Sequence, residues 1–178
     1  MWQQIIQFWY QELTPKQWYI KDLQVDQLID QRFGRLNQQA QAGELYTWRQ
    51  EPLGRLAEII VLDQFSRNLY RDSALAFAGD AMALTLAQEA IYHGLDKAMD
   101  NAQKQFLYMP FMHSESAAIH VKAEALFANL GNDNTLSFER QHKAIIDRFG
   151  RYPHRNAILD RESTSAEIAF LTQPGSSF

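Results

Sequence analysis

Pro52-Leu53-Gly54-Arg55-Leu56-Ala57-Glu58-Ile59-Ile60-Val61-Leu62-Asp63-Gln64-Phe65-Ser66-Arg67-Asn68-Leu69-Tyr70-Arg71 is the stretch whose reading decides the fold class. Proline suits the first turn of a helix, where its missing N–H would have had no partner anyway. Leu53, Leu56, Ile59, Ile60, Leu62, Phe65 and Leu69 then recur at steps of three and four residues, without the period-two alternation of a half-buried strand. The first half is apolar almost all round, the mark of a helix enclosed by its neighbours. The second half changes character. Leu56, Ile60, Asp63, Arg67 and Arg71 share roughly one face, which turns from apolar to charged along its length.

The helical period extends in both directions. Trp2, Ile5, Ile6, Trp9 and Leu13 make one apolar face, after which Thr14-Pro15 reads as a break or as an N-cap with proline at the first position. Val25, Leu28, Ile29 and Phe33 mark a helix with Gly34 as its stop, and residues 37–48 read as a short helix plus a loop. Asp80 is placed to cap a stripe of Ala83, Leu84, Ala87, Ala90 and Ile91. Asp100 and Gln103 have capping-box spacing ahead of Phe106, Leu107 and Met109, a helix that Pro110 interrupts. Ile119, Ala123, Leu126, Phe127 and Leu130 end at Gly131. Phe138, Ile145, Ile146 and Phe149 end at Gly150. Thr164 and Glu167 cap a short terminal helix through Phe170 and Leu171, and the tail from Gly175 to Phe178 is expected to be mobile. These readings predict an all-α protein of about eight helices packed as antiparallel hairpins. The 178 residues fit one domain, 1–178.

Composition removes several function classes. With no cysteine there is no disulfide, no thiolate nucleophile and no thiolate-bound zinc. The opening residues lack the basic region and apolar run of a secretory signal, and no uninterrupted apolar stretch reaches about 18 residues, so neither export nor a membrane span is expected. A cytoplasmic location follows as the expectation. The net charge of −4, from 17 basic and 21 acidic side chains, gives no global basic field, so a nucleic-acid partner is not expected.

Three polar clusters remain as candidates for function. The first is Asp63 to Arg71, where Asp63 and Arg67 stand at i,i+4 and can pair. It reads either as a structural ion pair on the central helix or as a pocket floor whose arginines face a carboxylate or phosphate. The second is Tyr108 to Glu115, at a proline-disturbed helix end, with His113 and Glu115 as candidate acid, base or ligand groups. Capping of the next helix by Ser114, Glu115 or Ser116 explains the same residues, and no third ligand stands at a diagnostic spacing, so no metal is expected. The third is Arg148, Gly150, Arg151, Tyr152, Pro153, His154, Arg155, Asn156 and Arg161. Arginine forks suit phosphate or carboxylate, although Asp147, Asp160 and Glu162 are near enough in sequence to neutralise them. His142 shares a stripe with Phe138, Ile145 and Ile146 and reads as a core histidine. His93 and His120 read as solvated. There is no phosphate-cradling glycine loop, dinucleotide fingerprint or nucleophile elbow, and no organic cofactor is expected.

Three stretches, Leu56–Arg71, Phe106–Glu115 and Ile145–Arg161, together with Phe8-Trp9 and Trp48, make the chain resemble the bacterial domain of unknown function 924 from about Phe8 to Leu171. The resemblance implies an all-α fold similar to tetratricopeptide-like arrays of helical hairpins. It implies no activity. The family-like stretches are the same three clusters, and if they meet they form one site with Asp63, Arg67, His113, Glu115, His154 and Arg155. The function expected from these residues is the binding of a small anionic ligand or a partner peptide through Asp63, Arg67, Arg71, Arg151, Arg155 and Asn156. The alternative is an enzyme, hydrolase-like and with or without a metal, using His113 or His154 as acid or base and Glu115 or Asp63 as partner.

Overall fold

The computed structural model describes residues 1–177, and the chain is all-helical among them. Its α-helices are α1 (Trp2–Gln7), α2 (Leu23–Gln41), α3 (Pro52–Ile60), α4 (Ser66–Leu69), α5 (Asp80–Tyr92), α6 (Asn101–Met112), α7 (Ala117–Ala128), α8 (Asp133–Phe149) and α9 (Ser165–Leu171). Two compact units can be distinguished. One comprises Met1–Arg71 with Leu75–Pro110; the other comprises Asp72–Ala74 with the chain from Phe111 onward.

The first unit is built around α3. Pro52 occupies the first turn, and Leu56, Ala57, Ile59 and Ile60 are all buried, as an apolar surface on every side requires. The helix continues into a π-helical turn, Val61–Phe65, before α4. A π-turn disturbs the i→i−4 ladder and leaves backbone groups needing other partners. Asn37, wholly buried on α2, supplies one: its Nδ2 donates to the Val61 carbonyl at 2.8 Å and to Ser66 Oγ at 2.9 Å. Phe8, Phe33 and Phe65 close the core with ring centroids 5.2–6.0 Å apart. Each fully buried side chain of this size contributes roughly 1.5–3 kcal/mol. Gly54 permits the close approach of α3 to the 3-10 turn Tyr46–Gln50, since a Cβ there would lie 2.2 Å from the Trp48 carbonyl oxygen.

Several boundaries differ from the sequence reading. Gly34 does not stop α2, which runs on to Gln41 because Asn37 and Ala40 continue the buried face of Ile29 and Phe33. Pro110 lies inside α6, which reaches Met112. Asp80 is the first helical residue of α5 rather than its cap, and its carboxylate is turned to Arg67. The segment Ala74–Tyr92 has the length and hydropathy (1.2) of a membrane span, contrary to expectation, yet it is a 3-10 turn, Ala74–Phe77, followed by α5 packed on α3.

In the second unit α7 and α8 pack along each other. Gly131 turns the chain with φ of 66°, and Asn132 caps α8 by accepting from the N–H groups of Asn134 and Thr135. Gly150 ends α8 in the left-handed region, φ 71°, where a side chain is disfavoured. The capping boxes at Asp100/Gln103, in the first unit, and Thr164/Glu167, in the second, are both formed. The tail folds back as far as Ser176, whose Oγ donates to the Leu171 carbonyl. Phe178, the last residue of the tail expected to be mobile, lies outside the described residues.

Candidate functional site

In the first unit the polar face of the central helix is an ion-pair network. Asp63, 1 % exposed, sits in the π-turn, accepts from Gln64 Nε2 at 2.5 Å and stands 3.2 Å from Arg67 Nη1. Arg67 also grips Asp80 with both ends of its fork, at 3.0 and 3.1 Å. One turn on, Arg71 grips Asp26 with Nε at 2.6 Å and Nη2 at 2.8 Å, and Asn68 donates to the same carboxylate. These contacts fasten α4 to α5 and to α2. The carboxylate that an arginine fork fits is in both cases supplied by the unit itself. Sequence reading overlooked Glu58, wholly buried on α3 and held bidentately by Arg49 at 2.7 Å for each bond. A glutamate inside an apolar run signals such a partner, since a buried charge must be paired.

In the second unit the Phe111–Glu115 part of the second cluster meets the third, around Tyr152. The Tyr152 ring is fully buried, its hydroxyl donates to the Met112 carbonyl at 2.5 Å, and its N–H donates to Glu115 Oε1 at 2.7 Å. Arg161 clasps Glu115 with bonds of 2.7 and 2.9 Å and donates through Nε to Asn156 Oδ1. Asn156 in turn donates to Ser163. Arg155, 7 % exposed, donates to the His113 carbonyl at 3.1 Å and lies 4.7 Å from the Tyr152 ring centroid. Burial raises the Glu115 carboxyl, but the Arg161 bonds, the Tyr152 N–H and the charges of Arg161 and Arg155 outweigh it and hold Glu115 below its usual value. A carboxylate stabilised in this way is a poor proton acceptor.

Histidines gather on the same tyrosine. The rings of His120, His142 and His154 lie 6.3, 5.7 and 5.5 Å from that of Tyr152, and His113 lies 6.5 Å from His142. His142 is a core residue bonded to the Phe138 carbonyl at 2.8 Å. Burial lowers its pKa to about 3; the Phe138 bond opposes this, and charge on His113, His120 and His154 adds to it. His120 corrects the sequence reading. It is not solvated but 0 % exposed, because Glu139 on α8, also 0 % exposed, draws its Nδ1 to 2.8 Å. Its Nε2 lies 2.8 Å from the Ser114 carbonyl, which can only accept, so Nε2 carries a proton and Nδ1 shares one with Glu139. Burial raises Glu139, against the His120 contact. The signal that could have found it is spacing: His120, Ala123 and Phe127 stand three and four residues apart on one buried helix face. No three His, Asp or Glu residues are placed to hold a metal among the described residues.

Beyond α8 lies an open cleft of about 530 Å³, lined by Arg148, Phe149, Arg151, Thr164, Ala166 and Glu167. Arg151 forms one wall. It grips Glu167 at 2.7 and 2.8 Å and donates to the Glu162 carbonyl; the Arg151 bonds, with those of Thr164, hold the Glu167 carboxyl far below its usual value against the effect of burial. Arg148 is different. Its guanidinium lies 4.7 Å from the Phe149 ring centroid and 5.7 Å from that of Phe170, and no carboxylate among the described residues is within ion-pairing distance of it.

Comparison with known proteins agrees with the fold. A family model described as "Bacterial protein of unknown function (DUF924)" matches residues 5–175. A solved structure, a protein of unknown function, ATU0120, from Agrobacterium tumefaciens, is 37 % identical, with a TM-score of 0.91 and 96 % of each chain covered. No curated protein matches.

Proposed function

The chain belongs to this bacterial family of unknown function, and from that premise we propose that it is a binding module for a small anionic group, received in the cleft beside Arg148. The observation that carries the reading is the state of the arginines. Arg67, Arg71, Arg151 and Arg161 have their forks filled by carboxylates of their own unit, and Arg155 is buried against Tyr152. Arg148 is exposed, and its guanidinium lies over two phenylalanine rings, which hold it by cation–π attraction and offer no oxygen that would compete with a ligand's. The cleft volume lies within the 300–1,000 Å³ range of small-molecule sites.

The Arg151–Glu167 pair is neutral as a unit, so Arg148 sets a single positive charge in the cleft. The ligand chemistry that fits is one carboxylate or phosphate monoester oxygen pair, with an apolar portion against Phe149 and Ala166. A small carboxylic acid and the carboxyl end of a peptide both carry it. In this reading Asp63, Arg67, Arg71, Asn156 and Glu115 are the frame, and Arg148 with Arg151 are the site. The catalytic alternative receives less support, because both Glu115 oxygens are engaged and its basicity is reduced.

The test is a thermal-shift comparison of the wild type with Arg148→Gln and Arg71→Gln, using inorganic phosphate, benzoate and a short peptide with a free carboxyl end. A ligand at 100 times its dissociation constant adds about 2.7 kcal/mol, which raises the melting temperature by roughly 4 °C or more. The expected result is a rise in the wild type and in Arg71→Gln, absent in Arg148→Gln. A rise that survives in Arg148→Gln, or no rise with any of the three probes, overturns the proposal.

A further inference from the structure

The first unit carries an aromatic enclosure that has no part in the cleft. Residues 13–22, between the N-terminal helical segment and α2, contain no α-helix, and Thr14, Pro15, Lys16, Tyr19, Ile20 and Lys21 are all exposed. From this strap the half-buried Trp18 reaches inward into a three-sided aromatic enclosure. Its ring is stacked with Trp9 (centroids 6.4 Å, 15°) and meets Phe106 and Tyr10 edge-on at 5.1 and 5.9 Å. Its Nε1 donates to the Trp9 backbone carbonyl at 2.8 Å. Tyr19 closes the edge by stacking on Phe106 and accepting from Gln105.

Two walls of this enclosure are energetically anomalous. Trp9 Nε1 and the Tyr10 hydroxyl are both buried and have no hydrogen-bond partner among the described residues. A buried donor left unmade costs about 1–3 kcal/mol, and native structures contain few such groups. Two occur on adjacent residues, both flanking the same indole. Trp18 supplies the enclosure with a flat ring and one N–H donor, but it has no acceptor to offer either orphan.

We propose that the Trp9, Tyr10 and Phe106 enclosure is a binding pocket for a planar heteroaromatic ring, such as a nucleobase, and that Trp18 on the strap is an internal plug that the ligand displaces. The ligand class follows from what the plug does and what it fails to do. Like Trp18, the ring stacks on Trp9 and donates to the Trp9 carbonyl. Unlike Trp18, it carries a ring nitrogen or carbonyl that accepts from the Tyr10 hydroxyl, which meets the stacked ring from its edge. A nucleobase combines a π-face with adjacent donor and acceptor atoms. The strap is then autoinhibitory, and its release is coupled to binding.

The experiment is a titration of the full chain with adenosine, followed by the indole N–H resonances of the tryptophans, with indole as a control ring that lacks an acceptor. In the wild type adenosine is expected to shift the Trp9 and Trp18 signals at millimolar concentration, and Trp18→Ala to bind it at least tenfold more tightly because no plug competes. Tyr10→Phe separates this from a structural role. It removes a hydroxyl that nothing inside the unit satisfies, so the melting temperature should hold or rise while the adenosine response weakens. The proposal is overturned if the Trp9 and Trp18 signals ignore adenosine in the wild type and the Trp9 signal ignores it in Trp18→Ala. It is equally overturned by a response to indole without one to adenosine, or by an adenosine response that Tyr10→Phe leaves unchanged. If Trp18→Ala does not fold, the wild type and Tyr10→Phe decide the matter by the same criteria.

Discussion

Lowering the pH from 7 to 5 should weaken the fold through His142, and the size of the effect can be worked out in advance. His142 is 6 % exposed, and its pKa is pushed down from the ordinary histidine value of 6.5 to about 3, with burial the largest cause. The folded state therefore holds the imidazole neutral where the unfolded chain would protonate it. A group whose pKa is depressed on folding contributes stability that is complete above the unfolded value and is lost as the pH falls toward the folded value. Between pH 6.5 and 3 the unfolded chain binds the extra proton, and each unit costs about 1.4 kcal/mol. At pH 5 the loss is about 2 kcal/mol, and it approaches about 5 kcal/mol near pH 3. Glu139 acts in the opposite sense, since burial raises its pKa, so the wild-type curve alone mixes two contributions. Comparison with His142→Leu removes the ambiguity because Glu139 is common to both. The assay is urea unfolding at pH 7 and pH 5. The wild type should lose about 2 kcal/mol more than the variant over that interval. Parallel losses in the two proteins would refute the assignment of His142 as a buried neutral histidine.

Further expectations concern single contacts, each read by chemical unfolding. His120→Ala should cost about 3–5 kcal/mol, since it leaves Glu139 buried without its partner; adding Glu139→Gln should recover part of that loss. Gly54→Ala should cost about 1–3 kcal/mol or more, because its Cβ would lie 2.2 Å from a backbone oxygen that cannot swing aside. The sequence Arg-Phe-Gly-Arg occurs twice, at 32–35 and 148–151, and its two glycines should behave oppositely. Gly34→Ala, in the interior of α2 with only the movable Asp30 carboxylate nearby, should stabilise by about 0.5–1 kcal/mol. Gly150→Ala, at φ 71°, should destabilise by about 1–2 kcal/mol.

That pair of glycines also shows how far the sequence could be read. The period of three and four in Leu53 to Leu69 was sufficient for the helical class and for the buried place of α3. The stop at Gly34 was misjudged because glycine marks a terminus only when the apolar face ends with it, and Asn37 and Ala40 prolong that face. Asn37 gave no warning, since an asparagine required by the Val61 carbonyl of a π-turn looks like any polar surface residue until the turn is seen. At the candidate sites, charge and the local Asp63–Arg67 pair were legible, and the distant partnerships were not. Arg67, Arg71 and Arg151 stand out in the sequence, yet their partners Asp80, Asp26 and Glu167 lie 13 to 45 residues away. Arg155 and Arg148 could not be ranked from sequence either. One is buried against Tyr152 and the other stands exposed beside the cleft, although seven positions separate them.

The claim at the centre of the account is that Arg148 receives an anion. Its guanidinium Nε–H resonance can be followed directly by nitrogen-15 NMR as benzoate or inorganic phosphate is added at constant ionic strength. A saturable shift of the Arg148 signal, with those of Arg71 and Arg161 nearly still, is the expected result. A uniform drift of all arginine signals, or saturation at Arg71 rather than Arg148, would contradict it.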